Sequence, residues 1–488
     1  MASLTCSSPP QFECQLGRHS HYDVLVLGTG LTECCLAGLL SAAGKQVLML
    51  DRNSYYGGAS ASLNLTELYN KFKPGVQIPD ELQHHNPIDY QCDLTPKFIM
   101  SDGTLVKMIQ TSGATRYLDF MPVEGSFCVR NDTLHKVPAT ANEAINTSLV
   151  GFFQKRYMKN LFQYVVQCQD LTTEDSSDDA RKLSSTTSRT LIMEKNWCSE
   201  NTTEFIGHCV ALHQDDAYLD QPAIHTARRM RLYARSLAKH QNSGSPFIYP
   251  EYGLGGLPEA FARICSIHGG DFMLSRETDS FLFDETTGNV VAVTSTNPDT
   301  QEKEGCTVGS VVGDPSYFGE DRRTQQGSVM RCICLLRGPV QGLPSGLESA
   351  QIIYPQGQCT PKRSHDIYIS VVGNRLKCTP ENVWSATMST MMESDSATNG
   401  MSEFADALKL LGGEPNIVDL FFEVTPYYVP LPSHHQSTNI FVSKSCDATT
   451  HFESTTLDIV TLYEKITGER LKDLDKCVIV GETKSTST

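Results

Sequence analysis

The chain lacks any Cys-x-x-Cys pair. Its 17 cysteines are scattered and odd in number, with only Cys34-Cys35 and Cys332-x-Cys334 close together. That spacing argues against a zinc site and against a disulfide framework, and the cysteines read as buried thiols of a reducing, cytoplasmic compartment. No run approaches the roughly 18–20 apolar residues of a membrane-spanning helix, and residues 1–21 (MASLTCSSPPQFECQLGRHSH) lack the apolar core of a signal peptide. Basic residues are also scarce: 40 Lys+Arg stand against 56 Asp+Glu, a formal charge of −16. This argues against nucleic-acid binding and against a basic membrane-surface protein, while leaving room for a small basic patch.

A further lack is local. Residues 22–35 read YDVLVLGTGLTECC, an apolar strand followed by Gly28-Thr29-Gly30-Leu31-Thr32-Glu33. A dinucleotide-binding turn wants glycine at the sixth place, where helix and strand pack closely; here it is Glu33. A carboxylate at a helix N-terminus satisfies the free N–H groups and dipole end that would otherwise hold a pyrophosphate. The motif therefore reads as a nucleotide-binding scaffold whose phosphate site the protein fills itself. Asp51 ends the second strand, where an acid would hold ribose hydroxyls in a working site; the alternative is a strand-end carboxylate paired with Arg52.

What is present is a long, ordinary globular composition, and 488 residues suggest two domains. Residues 22–51 form a βαβ start: strand 23–27, helix 31–43 ended by Gly44, strand 46–50. Tyr55-Tyr56-Gly57-Gly58 makes an exposed turn. Residues 97–109 (KFIMSDGTLVKMI) predict a hairpin around Asp102-Gly103, and a second hairpin is expected within 122–137. From 138 to 243 the texture is helical, with helices at 149–166, 200–213 and 226–240. Within it, 169–190 is polar and acidic and reads as a mobile surface loop. After 247 come a helix at 257–270 with Pro258 in its first turn, strands at 279–283, 289–295, 328–336, 351–355, 366–372 and 416–427, and a helix at 450–467.

These segments resemble the Rab GDP-dissociation inhibitor family and, more loosely, the Rab escort proteins. The resemblance is carried by YDVLVLGTGLTECCLAGLLSAAGKQVLMLDRNSYYGG, TRYLDFMPVEGSF (115–127), DDAYLDQP (215–222), YPEYGLGGLPEAFARICSIHGG (249–270), SHDIYIS (364–370) and CDATTHFES (446–454), and it runs from about residue 22 to 468. It implies a flavoprotein-like α/β fold (FAD/NAD(P)-binding-like, with several sheets) carrying an inserted, smaller all-helical domain. The division expected is a disordered extension at 1–21, a discontinuous Rab-binding domain at 22–137 and 244–470, a helical prenyl-lipid domain at 138–243, and a tail at 471–488. The activity implied is not enzymatic and uses no cofactor, catalytic residue or metal. Such a protein binds GDP-loaded prenylated Rab GTPases, slows GDP release, shelters their geranylgeranyl chains, and moves them between membrane and cytoplasm as a monomer with a membrane-associated pool. The alternatives are an escort protein, which would carry large inserts, and a flavin-dependent oxidoreductase, which would want glycine at 33.

By the same resemblance, the Rab-facing platform falls on Tyr56, Glu259, Arg263, Asp271 and Met273. The family commonly has Gln at 259, Thr at 271 and Glu where this chain has Gly256. Read as bare residues, they are equally solvated surface groups. The prenyl pocket falls on Leu149, Val150, Phe152, Phe153, Leu161, Val165, Phe205, Ile206, Cys209 and Leu212, with Gly207 permitting close helix approach; the alternative is ordinary core. Val106 and Met108 are the expected seat of the Rab C-terminal stretch, or else part of a hairpin packed on its own sheet. The same resemblance places Lys239 and Phe247 in a mobile loop that family members use to touch the membrane or its receptor.

Overall fold

The structure is a computed structural model that describes residues 2–6, 10, 12–171, 175–239, 243–394, 400–431 and 439–471. Four strands, Lys303–Gly313, His21–Leu27, Val47–Leu50 and Asp271–Met273, run parallel side by side. Val290–Thr296, Ser280–Asp284 and Ala2–Cys6 extend the same sheet on the Lys303–Gly313 side. Leu25, Val26, Leu27, Val47, Leu48 and Leu50 have no exposed surface. Parallel strands covered on both faces read as such unbroken apolar runs.

The helix Leu31–Ala42 covers one face, and Leu31 to Ser41 are all buried. It lies between the helices Gly256–Ile267 and Glu453–Thr467. The first contact needs Gly38, because a Cβ there would come 2.9 Å from the Phe261 carbonyl oxygen. A second sheet of seven strands runs in the order Thr133–Lys136, Gly125–Arg130, Ala350–Tyr354, Ile367–Val372, Trp384–Met391, Arg323–Leu336, Ile417–Pro430. The helical insert contains Phe152–Gln167, Asp178–Ser184, Glu200–Glu204 and Ala223–Lys239, with π-helical segments at Thr190–Lys195 and Phe205–Val210. One apolar cluster runs from Leu31 and Leu36 through Phe261 to Leu161, Ile206 and Tyr233. The insert therefore shares a core with the α/β body; the boundaries at 138 and 243 mark a change of element type, not a gap in packing.

Several expectations need correction. There is no hairpin at 97–109: Ile99–Met100 is a strand and Thr104–Thr111 a helix that starts after Gly103. Asp102-Gly103 opens that helix instead of reversing a strand. The hairpin in the second segment is present, Gly125–Arg130 against Thr133–Lys136, turning on Asn131 and Asp132 at φ 49° and 55°. Residues 1–21 are not a disordered extension throughout. Ala2–Cys6 and Cys14–Gln15 are strands paired to the first sheet, and Leu16 is fully buried. The 169–190 stretch contains the helix Asp178–Ser184, whose N-terminus is capped by the Ser177 hydroxyl; residues 172–174, like nearly all of the 471–488 tail, lie outside the described residues. Strands Lys303–Gly313 and Trp384–Met391 were not anticipated. Cysteines from Cys14 to Cys446 are free, and all but those two are buried. Among the described residues no helix is long and apolar enough to cross a membrane.

A buried ion pair fixes the segment before the last helix. Lys97, 1 % exposed, binds Asp447, the Thr449 carbonyl and hydroxyl, and the His451 carbonyl. Burial alone would raise the Asp447 carboxyl, but Lys97, Ser454 and Thr449 outweigh it and hold it well below the usual range. Removing one partner of such a pair leaves an uncompensated buried charge. Lys97→Met is expected to cost about 3–5 kcal/mol in urea unfolding, with part of the loss recovered on adding Asp447→Asn; an unchanged midpoint would show that the pair does not hold this segment.

Candidate functional site

The glycine turn is occupied by the protein's own groups. Gly28 sits at φ +100°, where glycine is at ease and other residues are strained. Thr29 donates its backbone N–H (2.8 Å) and its hydroxyl (2.6 Å) to Asp51 Oδ2. The other Asp51 oxygen accepts from the Asn53 amide (2.8 Å) and the Tyr317 hydroxyl (3.1 Å). Asp51 is thus not paired with Arg52, whose guanidinium instead binds the Ser316 hydroxyl and lies over the Tyr317 ring. Glu33 is 3 % exposed, accepts from the Ser443 hydroxyl at 2.8 Å and bonds its own backbone amide. A Cβ on Gly30 would come 2.6 Å from Glu33 Oε2, so the carboxyl lies directly over the turn. These residues do not fit a dinucleotide: the acid that would hold ribose is saturated, and a buried carboxyl stands where pyrophosphate would go.

A second site forms on the helix Gly256–Ile267, whose buried face is Leu257, Ala260, Phe261 and Ile264. The opposite face presents Glu259 and Arg263, which with Tyr56, Tyr117, Gly256 and Ser266 line an open cleft of about 490 Å³. The Arg263 guanidinium lies 4.7 Å from the Tyr117 ring centroid, and Tyr56 packs edge-on against Phe272 at 6.1 Å. Tyr117 and Phe272 were not anticipated. The signal for Phe272 was the period of two: it turns the opposite way from Asp271 and Met273 on one short strand. Met273 is half-buried against the far face of the sheet. Asp271 is not an exposed platform group. It is 7 % exposed and bound by the Arg18 guanidinium, the Arg18 amide and the Tyr22 hydroxyl. Its carboxylate is paired with Arg18, in the segment before the strand His21–Leu27, and held by Tyr22 within that strand.

In the helical insert, Leu149, Val150, Leu161, Val165, Phe205, Ile206, Cys209 and Leu212 are all buried. Phe152 and Phe153 are not between helices: they are 83 % and 73 % exposed, because both precede the turn at which the helix begins to bury its Met158–Leu161–Val165 stripe. Gly207 does permit a close approach, since its Cβ would overlap the Tyr218 hydroxyl. The π-helical segment Phe205–Val210 is pinned to the second sheet by His208, whose Nδ1 meets Asp366 at 2.8 Å and Nε2 meets Asp216 at 3.2 Å. Burial works against its charge, but the two carboxylates outweigh it and push the imidazolium up to about 10.

Val106 is half-buried and Met108 fully buried on the helix Thr104–Thr111. Met108, Leu212 and Leu232 help to line a groove of about 990 Å³ between that helix, Ala223–Lys239 and Glu453–Thr467. Lys239 pairs with Asp102 at 2.7 Å. Phe247 is not a loop residue. It begins a strand, is fully buried, and packs on Phe98 at 5.8 Å; residues 240–242 lie outside the described residues.

The model of the family described as GDP dissociation inhibitor matches residues 18–477. A probable secretory pathway GDP dissociation inhibitor of Schizosaccharomyces pombe is 40% identical over 453 residues, covering 92% of this chain and 97% of its own. The crystal structure of a Rab GDI from Plasmodium falciparum aligns with TM-score 0.81 and 38% identity over 93% of this chain and all of that one. An oxidoreductase of Methanosarcina mazei aligns with TM-score 0.57 at 14% identity, a likeness of fold alone.

Burial, with Asp314 nearby, pushes the Glu33 carboxyl up from 4.5 to about 8. The folded state then holds a proton that the unfolded chain releases, so stability falls as pH rises through that interval. Glu33→Gln is expected to match the parent's melting temperature at the acid end of the interval and exceed it at about pH 8. An unchanged difference between the two proteins across the interval would contradict a buried, proton-holding carboxyl.

Proposed function

The chain belongs to the GDP dissociation inhibitor family, and we propose that it is a Rab GDP-dissociation inhibitor. It binds GDP-loaded, prenylated Rab GTPases, slows their GDP release, and carries them between membranes and the cytoplasm. The observation that carries this reading is the cleft on the helix Gly256–Ile267. There Tyr56, about 200 residues earlier in the chain, meets Glu259 and Arg263, one turn apart on that helix, at one open cleft. Tyrosine and arginine are typical anchors of protein interfaces, and a guanidinium pre-set over a ring loses little freedom on meeting a carboxylate. Locking a GTPase in its GDP state requires no catalytic group, only tighter binding of the GDP conformation than of the GTP one.

The lipid requirement falls on the helical insert. Burying a methylene is worth roughly 0.8 kcal/mol, so a twenty-carbon chain represents on the order of ten kcal/mol or more. Leu149, Val150, Leu161, Val165, Phe205, Ile206, Cys209 and Leu212 would form the walls of the slot. They are buried here, and the helix Phe152–Gln167 and the π-helical segment each pack on the helix Ala223–Lys239, so the slot opens by parting one of them from that helix. The groove at Met108, which Val106 does not line, would seat the chain that links the GTPase body to its lipid.

Arg263→Ala is expected to weaken binding of GDP-loaded Rab about tenfold or more while leaving the melting temperature unchanged, because Arg263 is exposed. The rate of GDP release from Rab, followed with and without the protein, checks the reading: the parent slows release and the variant does so only at higher concentration. Release unaffected by the parent would overturn it.

A further inference from the structure

The helical insert carries exposed aromatics that the carrier reading leaves unused. Phe152 and Phe153 open the helix Phe152–Gln167, their rings edge-to-face at 5.7 Å. Trp197, 67 % exposed, stands beside them: Tyr157, one turn on from Phe153, packs edge-on against the Trp197 ring at 5.9 Å. Gln154 fixes this arrangement. Its amide donates to the Trp197 carbonyl at 3.4 Å and its oxygen accepts from the Ser199 amide at 2.8 Å. Ile145, 69 % exposed, is tied to the same helix through its carbonyl, which accepts from the Lys155 ammonium at 2.7 Å. Trp197 has φ 52°, a left-handed conformation that is costly for a bulky side chain. A protein that holds a tryptophan in strain and leaves it in water has a use for it at the surface.

The charges around the rings are as telling. Lys155, Arg156 and Lys159 follow Phe152 at helical spacing, so they share its stripe, and Lys195 precedes Trp197 by two residues. The helix Phe152–Gln167 has no acidic residue, in a chain whose formal charge is −16. The acids nearest in sequence to the helix are Asp170, three residues past its end, and Glu143, which is paired with Lys136; on the Trp197 side Glu194 and Glu200 are exposed. Exposed Phe and Trp beside Lys and Arg are the composition that settles at the headgroup level of an anionic bilayer.

We propose that Phe152, Phe153 and Trp197, with Arg156, Lys159 and Lys195, form a docking surface for an anionic lipid bilayer. The rings enter the headgroup layer and the cations meet acidic headgroups, which sets the helical insert against the membrane without any bound GTPase. The surface lies apart from the cleft at Arg263, so it stands or falls independently of Rab recognition.

The test is flotation of the full chain alone with vesicles of phosphatidylcholine, and of phosphatidylcholine with about 30 mol% phosphatidylserine. Binding is expected to the second and to fall steeply with salt. It should drop about tenfold or more in Phe152→Ser/Phe153→Ser and in Arg156→Glu/Lys159→Glu, with melting temperature and affinity for unprenylated GDP-loaded Rab unchanged. In a Trp384→Phe background, which leaves Trp197 as the only tryptophan, emission should shift to the blue on binding. No binding to the anionic vesicles, or equal binding by both double variants, would overturn the proposal. Binding only to membranes that retain their proteins would also overturn it, since the occupant is then a protein.

Discussion

A carboxyl buried under a glycine turn joins the start of this chain to its end. Glu33 lies over Gly30 and accepts from Ser443, 410 residues away, while Asp51 gathers Thr29, Asn53 and Tyr317 from three segments. These contacts satisfy the turn from within the protein and tie to it the residue that follows the strand Ile440–Val442. The body keeps a cavity of about 350 Å³ beside the turn, lined among others by Gly28, Gly30, Asp51, Arg52 and Tyr317, in which the buried Glu33 carboxyl takes the place of a pyrophosphate. Its surfaces are then free to act as interfaces, and the helix Gly256–Ile267 is held against Gly38 closely enough to present Glu259 and Arg263 in a fixed register.

The helical insert meets a different demand. A carrier of a long apolar chain must hide apolar walls until cargo arrives, and exposed walls would aggregate. In this insert the residues proposed as walls are buried, with Tyr218 pressed into the space above Gly207 and His208 fastened between Asp366 and Asp216. π-helical segments such as Phe205–Val210 often mark functional sites, and this one sits between the insert and the second sheet. The pair of His208 with Asp366 fastens it there, beside the apolar packing of Ile206 and Cys209.

Much of this was legible in the sequence, and the failures share physical causes. The βαβ start, the 125–136 hairpin, the helical texture of the insert and the last helix follow from local periodicity and turn chemistry. Asp102-Gly103 misled because the same dipeptide that reverses a strand also opens a helix. Lys303–Gly313 and Trp384–Met391 were missed because their many Gly, Ser and Thr residues dilute the apolar signal. At the sites, exposure follows from helical periodicity alone where a residue faces outward, as at Arg263 and Glu259. They were misread where long-range partners decide: Asp271 is claimed by Arg18 and Tyr22 from some 250 positions away, and Phe247 by the burial of its whole strand. Resemblance places Phe152 and Phe153 between the helices of the insert, yet they precede the turn at which their helix meets the core.

The central claim is that this protein carries a lipid-bearing GTPase in its GDP state. It is tested most directly by incubating the purified protein with liposomes bearing geranylgeranylated Rab, loaded with GDP or with a non-hydrolysable GTP analogue, and measuring what leaves the membrane. A soluble complex formed with GDP and little with the analogue is the result expected. A folded protein that extracts nothing in either state, or equally in both, would contradict the account.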